Sequence, residues 1–353
     1  MAGAVGDRAG EEAGLIMRAA GLDYQHRQLT EGAVPEPRLE SDDGVLFRVH
    51  EVGVCGTDRE LAAFSLGYPP EGESFLALGH EALGRVEETG PAVTTLRRGD
   101  WVAPSIRRPC RPPCASCARG RRDLCLTEGY RERGIFGLHG YFTDYAVDAA
   151  ADLVRVPEEL VDVAVLIEPL SVVEKAVERA LRLAEAPPVT ALVLGAGPIG
   201  ILAALSLQAR GLEVSLASLE PPQHPRARLV QQAGIRYLSA PDSKADVIVE
   251  ATGSAEAAFK GLRWLAPLGV CALLGAANAL GEAPFLDLIV NNQVVFGSVN
   301  ASPDSFALAV EDLKRFDRGL LRRMIRRAGR GSYRETIPAP PGEAAKIVHV
   351  MAE

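Results

Sequence analysis

No stretch of this chain stays apolar for the roughly 20 residues that a membrane-spanning helix needs, so no transmembrane segment is expected. Basic charge is in deficit. Against 46 Asp and Glu there are 38 Lys and Arg, a formal charge of −8. That balance argues against nucleic acid or an anionic membrane as partner, because both select a basic face. Aromatic residues are few at 5%, yet 47% hydrophobic and 24% charged residues give the balance of an ordinary folded enzyme. Internal repeats are lacking, and low complexity is confined to the small, acidic Met1–Gly14 segment. That segment has no apolar core of the kind a signal peptide needs, so a disordered tail and a cytoplasmic location are expected.

Disulfides are the next absence. Six cysteines in 353 residues do not make a disulfide scaffold, and four of the six are clustered. The spacing Cys110-x3-Cys114-x2-Cys117-x7-Cys125 supplies four thiolates on one loop, enough to close a tetrahedral zinc site. A closed site of this kind leaves no position for substrate and is structural. Arg107, Arg108, Arg111, Arg119, Arg121 and Arg122 surround it and are expected to offset its negative charge. Cys271, in an apolar Leu268–Gly275 run, reads as a small buried hydrophobe.

Cys55 is different. It sits in Gly-Val-Cys55-Gly-Thr-Asp58, and a Gly79-His80-Glu81 follows. Glu168 lies in Leu166-Ile-Glu-Pro-Leu170, where a carboxylate is costly unless something binds it. Cys55, His80 and Glu168 together would give three protein ligands and one open position, the arrangement of a catalytic zinc. Asp58 and Glu81 are the natural groups to orient His80.

The length favours two domains. Short strands at Leu15–Ala19, Val45–Val49, Trp101–Pro104 and Tyr141–Val147 make the first part β-rich. From Val161 to Leu183 apolar residues recur at helical spacing. Strand and helix then alternate: strands at Val189–Leu194, Glu213–Ala217, Ala245–Ala251 and Val270–Leu274, helices at Ile201–Arg210 and Ala255–Leu265. This builds an α/β, doubly wound parallel sheet of Rossmann type. Residues 161–299 are assigned to it, inserted in a catalytic zinc-binding domain of residues 15–160 and 300–353.

Between the first strand and helix of that sheet lies Gly195-Ala-Gly197-Pro198-Ile199-Gly200. Gly195 allows the tight turn, Gly197 the approach of a pyrophosphate, and Gly200 close packing of helix on strand. The helix N-terminus then stabilises the phosphate charge. Past the second strand come Ser218 and Glu220, the candidates to read the adenosine ribose, although Glu220 lies about two residues beyond the usual position of the acidic residue, and Thr252 follows the next strand. An acidic Glu220 favours NAD, whereas His224 and Arg226 nearby leave NADP open.

These residues resemble the zinc-dependent medium-chain alcohol/polyol dehydrogenases, and within them the archaeal-type glucose dehydrogenase subgroup. The resemblance runs from about Leu15 to the C-terminus. It rests on Cys-Gly-Thr-Asp-Arg-Glu60, Glu71 to Ala82, Glu132-Arg-Gly-Ile135, His139-Gly-Tyr141, Glu168-Pro-Leu-Ser171 with Glu174-Lys175, and Gly297-Ser-Val-Asn300. It implies a mainly-β, GroES-like catalytic domain interrupted by the Rossmann domain. It assigns Cys55, His80 and Glu168 to catalytic zinc, with Glu81 as alternative ligand or neighbour and Thr57 as the proton-relay hydroxyl. Glu132 falls where a sugar is contacted, and Asn300 where the chain passes nicotinamide and substrate. Expected cofactors are two zinc ions per chain and NAD or NADP, and homodimers or homotetramers are the family habit.

Three departures accompany it. The first cysteine interval is three residues, where the family usually has two. Ile106 and Val172 replace an Asn and an Asp of some glucose dehydrogenases. The pocket is therefore less polar, which opens a cyclitol, aminocyclitol or other polyol as alternative substrate. A non-catalytic nucleotide-binding relative is the remaining alternative, opposed by the retained ligands.

Overall fold

The computed structural model describes residues 15–275, 281–340 and 342–352, so Met1–Gly14 lies outside the described residues. Among the described residues the chain forms four sheets. The largest runs in the order Leu153–Val156, Trp101–Pro104, Glu81–Thr89, Gly44–Val54, Lys346–Val350 and Ile325–Gly329, with Tyr145–Ala149 also paired to Gly44–Val54. Strands from both ends of the sequence thus meet in one sheet. No helix among the described residues is long and apolar enough to cross a membrane.

The second large sheet is wholly parallel, in the order Arg236–Leu238, Glu213–Ala217, Thr190–Leu194, Ala245–Glu250, Leu265–Leu273 and Val294–Gly297. Counted along the chain this is 3-2-1-4-5-6, the doubly wound order whose ligand crevice opens at the switch between the first and fourth strands. The strands carry Val, Ile, Leu and Ala on both faces because helices cover both sides. The Ile167–Leu183 helix packs on both the Pro198–Ala209 and Pro303–Arg315 helices, and one apolar cluster runs through all three and into Leu83, Ala103 and Val156 of the first sheet.

The helix expected from Val161 starts at Ile167, after two 3-10 turns. Pro169 explains the late start, since proline is tolerated only in the first helical turn. The strand expected from Tyr141 begins at Tyr145. Before it, the backbone N–H groups of Gly140, Tyr141 and Phe142 donate to the carbonyls of Ala77, Gly79 and Leu78. That pairing fixes the segment leading to His80. After Asn300 the chain first forms the Pro303–Arg315 helix, and it re-enters the largest sheet at Ile325–Gly329.

Candidate active site

Cys55 immediately follows Gly44–Val54, the longest strand of the first sheet, and caps the Gly56–Ala62 helix. Its Sγ accepts from the Thr57 N–H at 3.3 Å, and its own N–H donates to Asp58 Oδ2 at 2.8 Å. This reciprocal cap holds the sulfur in place. His80 follows the backbone pairing just described and presents Nε2 2.9 Å from Cys55 Sγ. Asp58 Oδ1 lies 3.4 Å from His80 Nδ1. Imidazole and carboxylate are both buried. Burial disfavours the charged imidazole, but Cys55 and Asp58 beside it hold His80 well above its ordinary value.

Ligand-type atoms of Cys55, Asp58 and His80 fall within 4.8 Å of one another. Glu168 is outside that tight group but close: buried at the start of its helix, it has its carboxyl pushed up to about 8 by desolvation, and then by Glu81. His80 and Lys346 pull it in the opposite direction. A sulfur facing a ring nitrogen, with a carboxylate behind the imidazole and another beside it, fits a zinc ion with an open position. Glu81 does not orient His80. It forms an ion pair with Lys346, and Asp58 alone takes the orienting position. Sequence reasoning missed Lys346, though a lone lysine amid Ala344–Val350 is a signal, since a buried ammonium needs a partner.

The four thiols Cys110, Cys114, Cys117 and Cys125 converge, with their sulfurs within 4.8 Å of one another. Cys114 Sγ and Cys125 Sγ are 3.9 Å apart, close to the roughly 3.8 Å between sulfurs sharing a tetrahedral zinc. The longer first interval costs nothing, because the Cys114 N–H donates to Cys110 Sγ at 3.1 Å. Backbone N–H groups of Leu126 and Cys117 lower the Cys114 thiol to about 6. Four of the six neighbouring arginines are engaged by carboxylates rather than by the thiols. Arg107 pairs with Glu132, Arg108 with Asp148 and Asp152, Arg121 with Asp123, and Arg122 with Asp152.

Glu132 is buried, and its Oε1 accepts from Arg107 Nε and from Asn300 Nδ2, both at 2.7 Å. The two residues predicted from distant parts of the sequence are therefore joined. Thr57 is half-buried two residues past Cys55, in the first turn of the helix that Cys55 caps. Ile106 is buried and Val172 half-buried, both against apolar clusters.

In the glycine loop Gly195 adopts φ +101°, open to glycine at little cost. A Cβ on Gly200 would stand 1.9 Å from the Gly195 carbonyl oxygen, so only glycine lets the Pro198–Ala209 helix approach. A Cβ on Gly197 would meet no protein atom within 4 Å. This open backbone at a helix start, with Pro198 and Ile199 in the first turn, fits a dinucleotide pyrophosphate. The Ala196 N–H donates to Ser218 Oγ at 3.1 Å, which ties the loop to the second strand. Ser218 in turn donates to Glu220, and Arg226 Nη2 lies 2.6 Å from Glu220 Oε1. Despite partial burial, these partners hold Glu220 below the usual carboxylate range. Thr252 donates from backbone and hydroxyl to the buried Glu250, another residue the sequence did not flag.

A GroES-like sheet carrying a Cys–His pair, joined to a 3-2-1-4-5-6 parallel sheet with its glycine loop, defines a medium-chain dehydrogenase. Residues 41–158 match the alcohol dehydrogenase GroES-like domain and residues 161–335 the glucose dehydrogenase C-terminus. Glucose 1-dehydrogenase of Methanocella arvoryzae is 40% identical over 316 residues, 83% of this chain and 88% of that one. The Thermoproteus tenax glucose 1-dehydrogenase is 43% identical over 296 residues, 80% and 83% of the two chains. Among solved structures, Haloferax mediterranei glucose dehydrogenase in complex with NADP, Zn and gluconolactone superposes with a TM-score of 0.86 at 28% identity, covering 96% of this chain and 100% of that one. The chain belongs to the glucose dehydrogenase family.

Proposed function

We propose that this protein is a zinc-dependent dehydrogenase that oxidises an aldose at its anomeric carbon with NAD or NADP. The observation that carries this reading is the Cys55–His80 pair, oriented by Asp58, in a chain so similar to glucose 1-dehydrogenases. Cys55, His80 and Glu168 would hold the catalytic zinc, and the four clustered cysteines a structural one. The bound groups would supply Lewis-acid polarisation of the substrate oxygen and a nicotinamide that accepts hydride.

The protein's own part is positioning and proton handling. Asp58 fixes the imidazole so that Nε2 faces the sulfur. The Thr57 hydroxyl takes the proton released from the substrate hydroxyl and passes it outward. Glu132 and Asn300 bind the remaining hydroxyls. Gly195, Gly197 and Gly200 set the loop that receives the pyrophosphate, with Pro198, Ile199 and Thr252 beside it and Ser218 and Glu220 at the ribose. Orientation of this kind is a large share of what an enzyme contributes.

A cyclitol, aminocyclitol or other polyol is the second reading. It is favoured by Ile106 and Val172, which offer no hydrogen bond where hydroxyl recognition demands one. A panel of aldoses, cyclitols and polyols, followed by nicotinamide absorbance with each cofactor, separates the two. Turnover of aldoses supports the first reading, and turnover of cyclitols alone replaces it.

We further infer that copies associate through the Val294–Gly297 strand. Among the described residues it pairs on one side only, and Phe285, Leu286, Ile289 and Val290 are exposed beside it. Sedimentation would report a dimer or tetramer. Its six free cysteines suit a reducing, cytoplasmic compartment.

A further inference from the structure

Arg107 stands opposite Glu132 in a two-residue ladder between Arg107–Arg108 and Arg131–Arg133. Its guanidinium is buried and makes three separate contacts. Nε donates to Glu132 Oε1 at 2.7 Å, Nη1 donates to the Asp123 carbonyl at 3.3 Å, and the planar group lies 3.9 Å from the centre of the Tyr130 ring. Asp123 belongs to the four-cysteine loop, just before Cys125. Its own carboxylate takes Arg121, and also Lys175 at 3.0 Å. Lys175 also donates to the Val299 carbonyl at 2.9 Å, adjacent to Asn300. Both donors that hold Glu132 are therefore braced, directly or through Lys175, by the same aspartate.

The two oxygens of Glu132 are used unequally. Oε1 receives both Arg107 and Asn300, whereas Oε2 accepts no hydrogen bond among the described residues. A carboxylate with one oxygen pinned and one free is an oriented acceptor for a hydroxyl.

We propose that Arg107 is a specificity-determining positioning residue, braced by Asp123 of the four-cysteine loop, that pins one oxygen of Glu132 and reserves the other for a hydroxyl-rich substrate. This rests on the reading of Glu132 as a substrate contact. A free carboxylate would rotate and lose the charge-assisted bond to the substrate hydroxyl in part of its population. A guanidinium that bonds in a fixed plane prevents that rotation, whereas a lysine, a point charge with freely rotating donors, fixes the Glu132 oxygen less firmly.

The test is steady-state kinetics of Arg107→Gln and Arg107→Lys on the best substrate of the sugar and polyol panel. Metal content and NAD(P)H affinity by fluorescence titration are read alongside. Arg107→Gln should raise the substrate KM by about tenfold or more, with kcat, metal content and cofactor affinity little changed. Arg107→Lys should recover part of the loss. Combining Arg107→Gln with Glu132→Gln should raise KM no further than Glu132→Gln alone, because the two act as one unit. An unchanged KM in either Arg107 variant overturns the proposal, as does a loss shared equally by KM, kcat and cofactor affinity. If Arg107→Gln does not fold, Arg107→Lys decides by the same KM. An unsubstituted enzyme inert toward every sugar and polyol overturns the functional reading itself; an active one with an indifferent Arg107→Gln overturns this inference alone.

Discussion

Lys346 and Glu81 form an ion pair shut off from solvent, with side-chain exposures of 0% and 3%. Burial disfavours the ammonium, but Glu81 and Cys55 beside it hold Lys346 above its ordinary value. Breaking such a pair leaves an uncompensated buried charge. Lys346→Met should therefore destabilise the fold by about 3–5 kcal/mol. Adding Glu81→Gln should return most of that loss, because the stranded charge goes with it. Denaturant unfolding of the two variants checks this; a double variant no better than the single one refutes it.

Cys55→Ser should abolish turnover while NAD(P)H affinity stays near that of the unsubstituted enzyme, because the glycine loop is built from other elements. Metal analysis should find two zinc ions per chain, and Cys114→Ser should cost one of them and lower the melting temperature. Substantial activity in Cys55→Ser would remove that sulfur from the mechanism.

Glu220 and Arg226 form a buttoned pair at the proposed adenosine ribose position. The Arg226 Nε is buried with no hydrogen-bond partner among the described residues, so the guanidinium has donor capacity left. Glu220→Gln should release it toward a 2'-phosphate and raise the ratio of kcat/KM for NADP over NAD by about tenfold. Parallel kinetics with both cofactors measure the ratio, and a ratio that falls or stays level counts against the pair as a discriminator.

Glu174 and Asp312 share Arg210 between three packed helices. Desolvation pushes the Glu174 carboxyl up to about 7, from an ordinary 4.5, with Arg210 opposing. Between those two values the folded chain binds more protons than the unfolded one, so stability falls as pH rises through the window and levels off above it. Glu174→Gln has no such slope. The difference in melting temperature between variant and unsubstituted protein should move in the variant's favour from about pH 4.5 to about pH 7 and then hold steady. Parallel pH profiles would refute the assignment.

The features legible in the sequence were those written locally. Four cysteines within sixteen positions and three glycines within six carry their geometry in their spacing, and alternation of apolar strands with helices carried the parallel sheet. The Cys55–His80 meeting was readable because each residue sits in a glycine-rich turn with an unusual neighbour. Charge pairing was not readable. Arg107, Arg108 and Arg122 lie beside the cysteines in sequence but answer to Glu132, Asp148 and Asp152, brought near by the sheets. Lys346 reaches Glu81 only because the last strand pairs with the Gly44–Val54 strand, which Glu81 also flanks. Spacing encodes local turns, whereas the partner of a buried charge depends on which strands become neighbours.

The clasp on Asp123 gives the four-cysteine loop a second duty. The side chains of Arg107, Arg121 and Lys175 converge on the backbone carbonyl or carboxylate of this one residue, and two of them lead onward to Glu132 and to the chain beside Asn300. A loop fastened in this way is not an interchangeable module. Transplanting it from a relative, or shortening it while keeping every thiol, would retune sugar handling some distance from the edit.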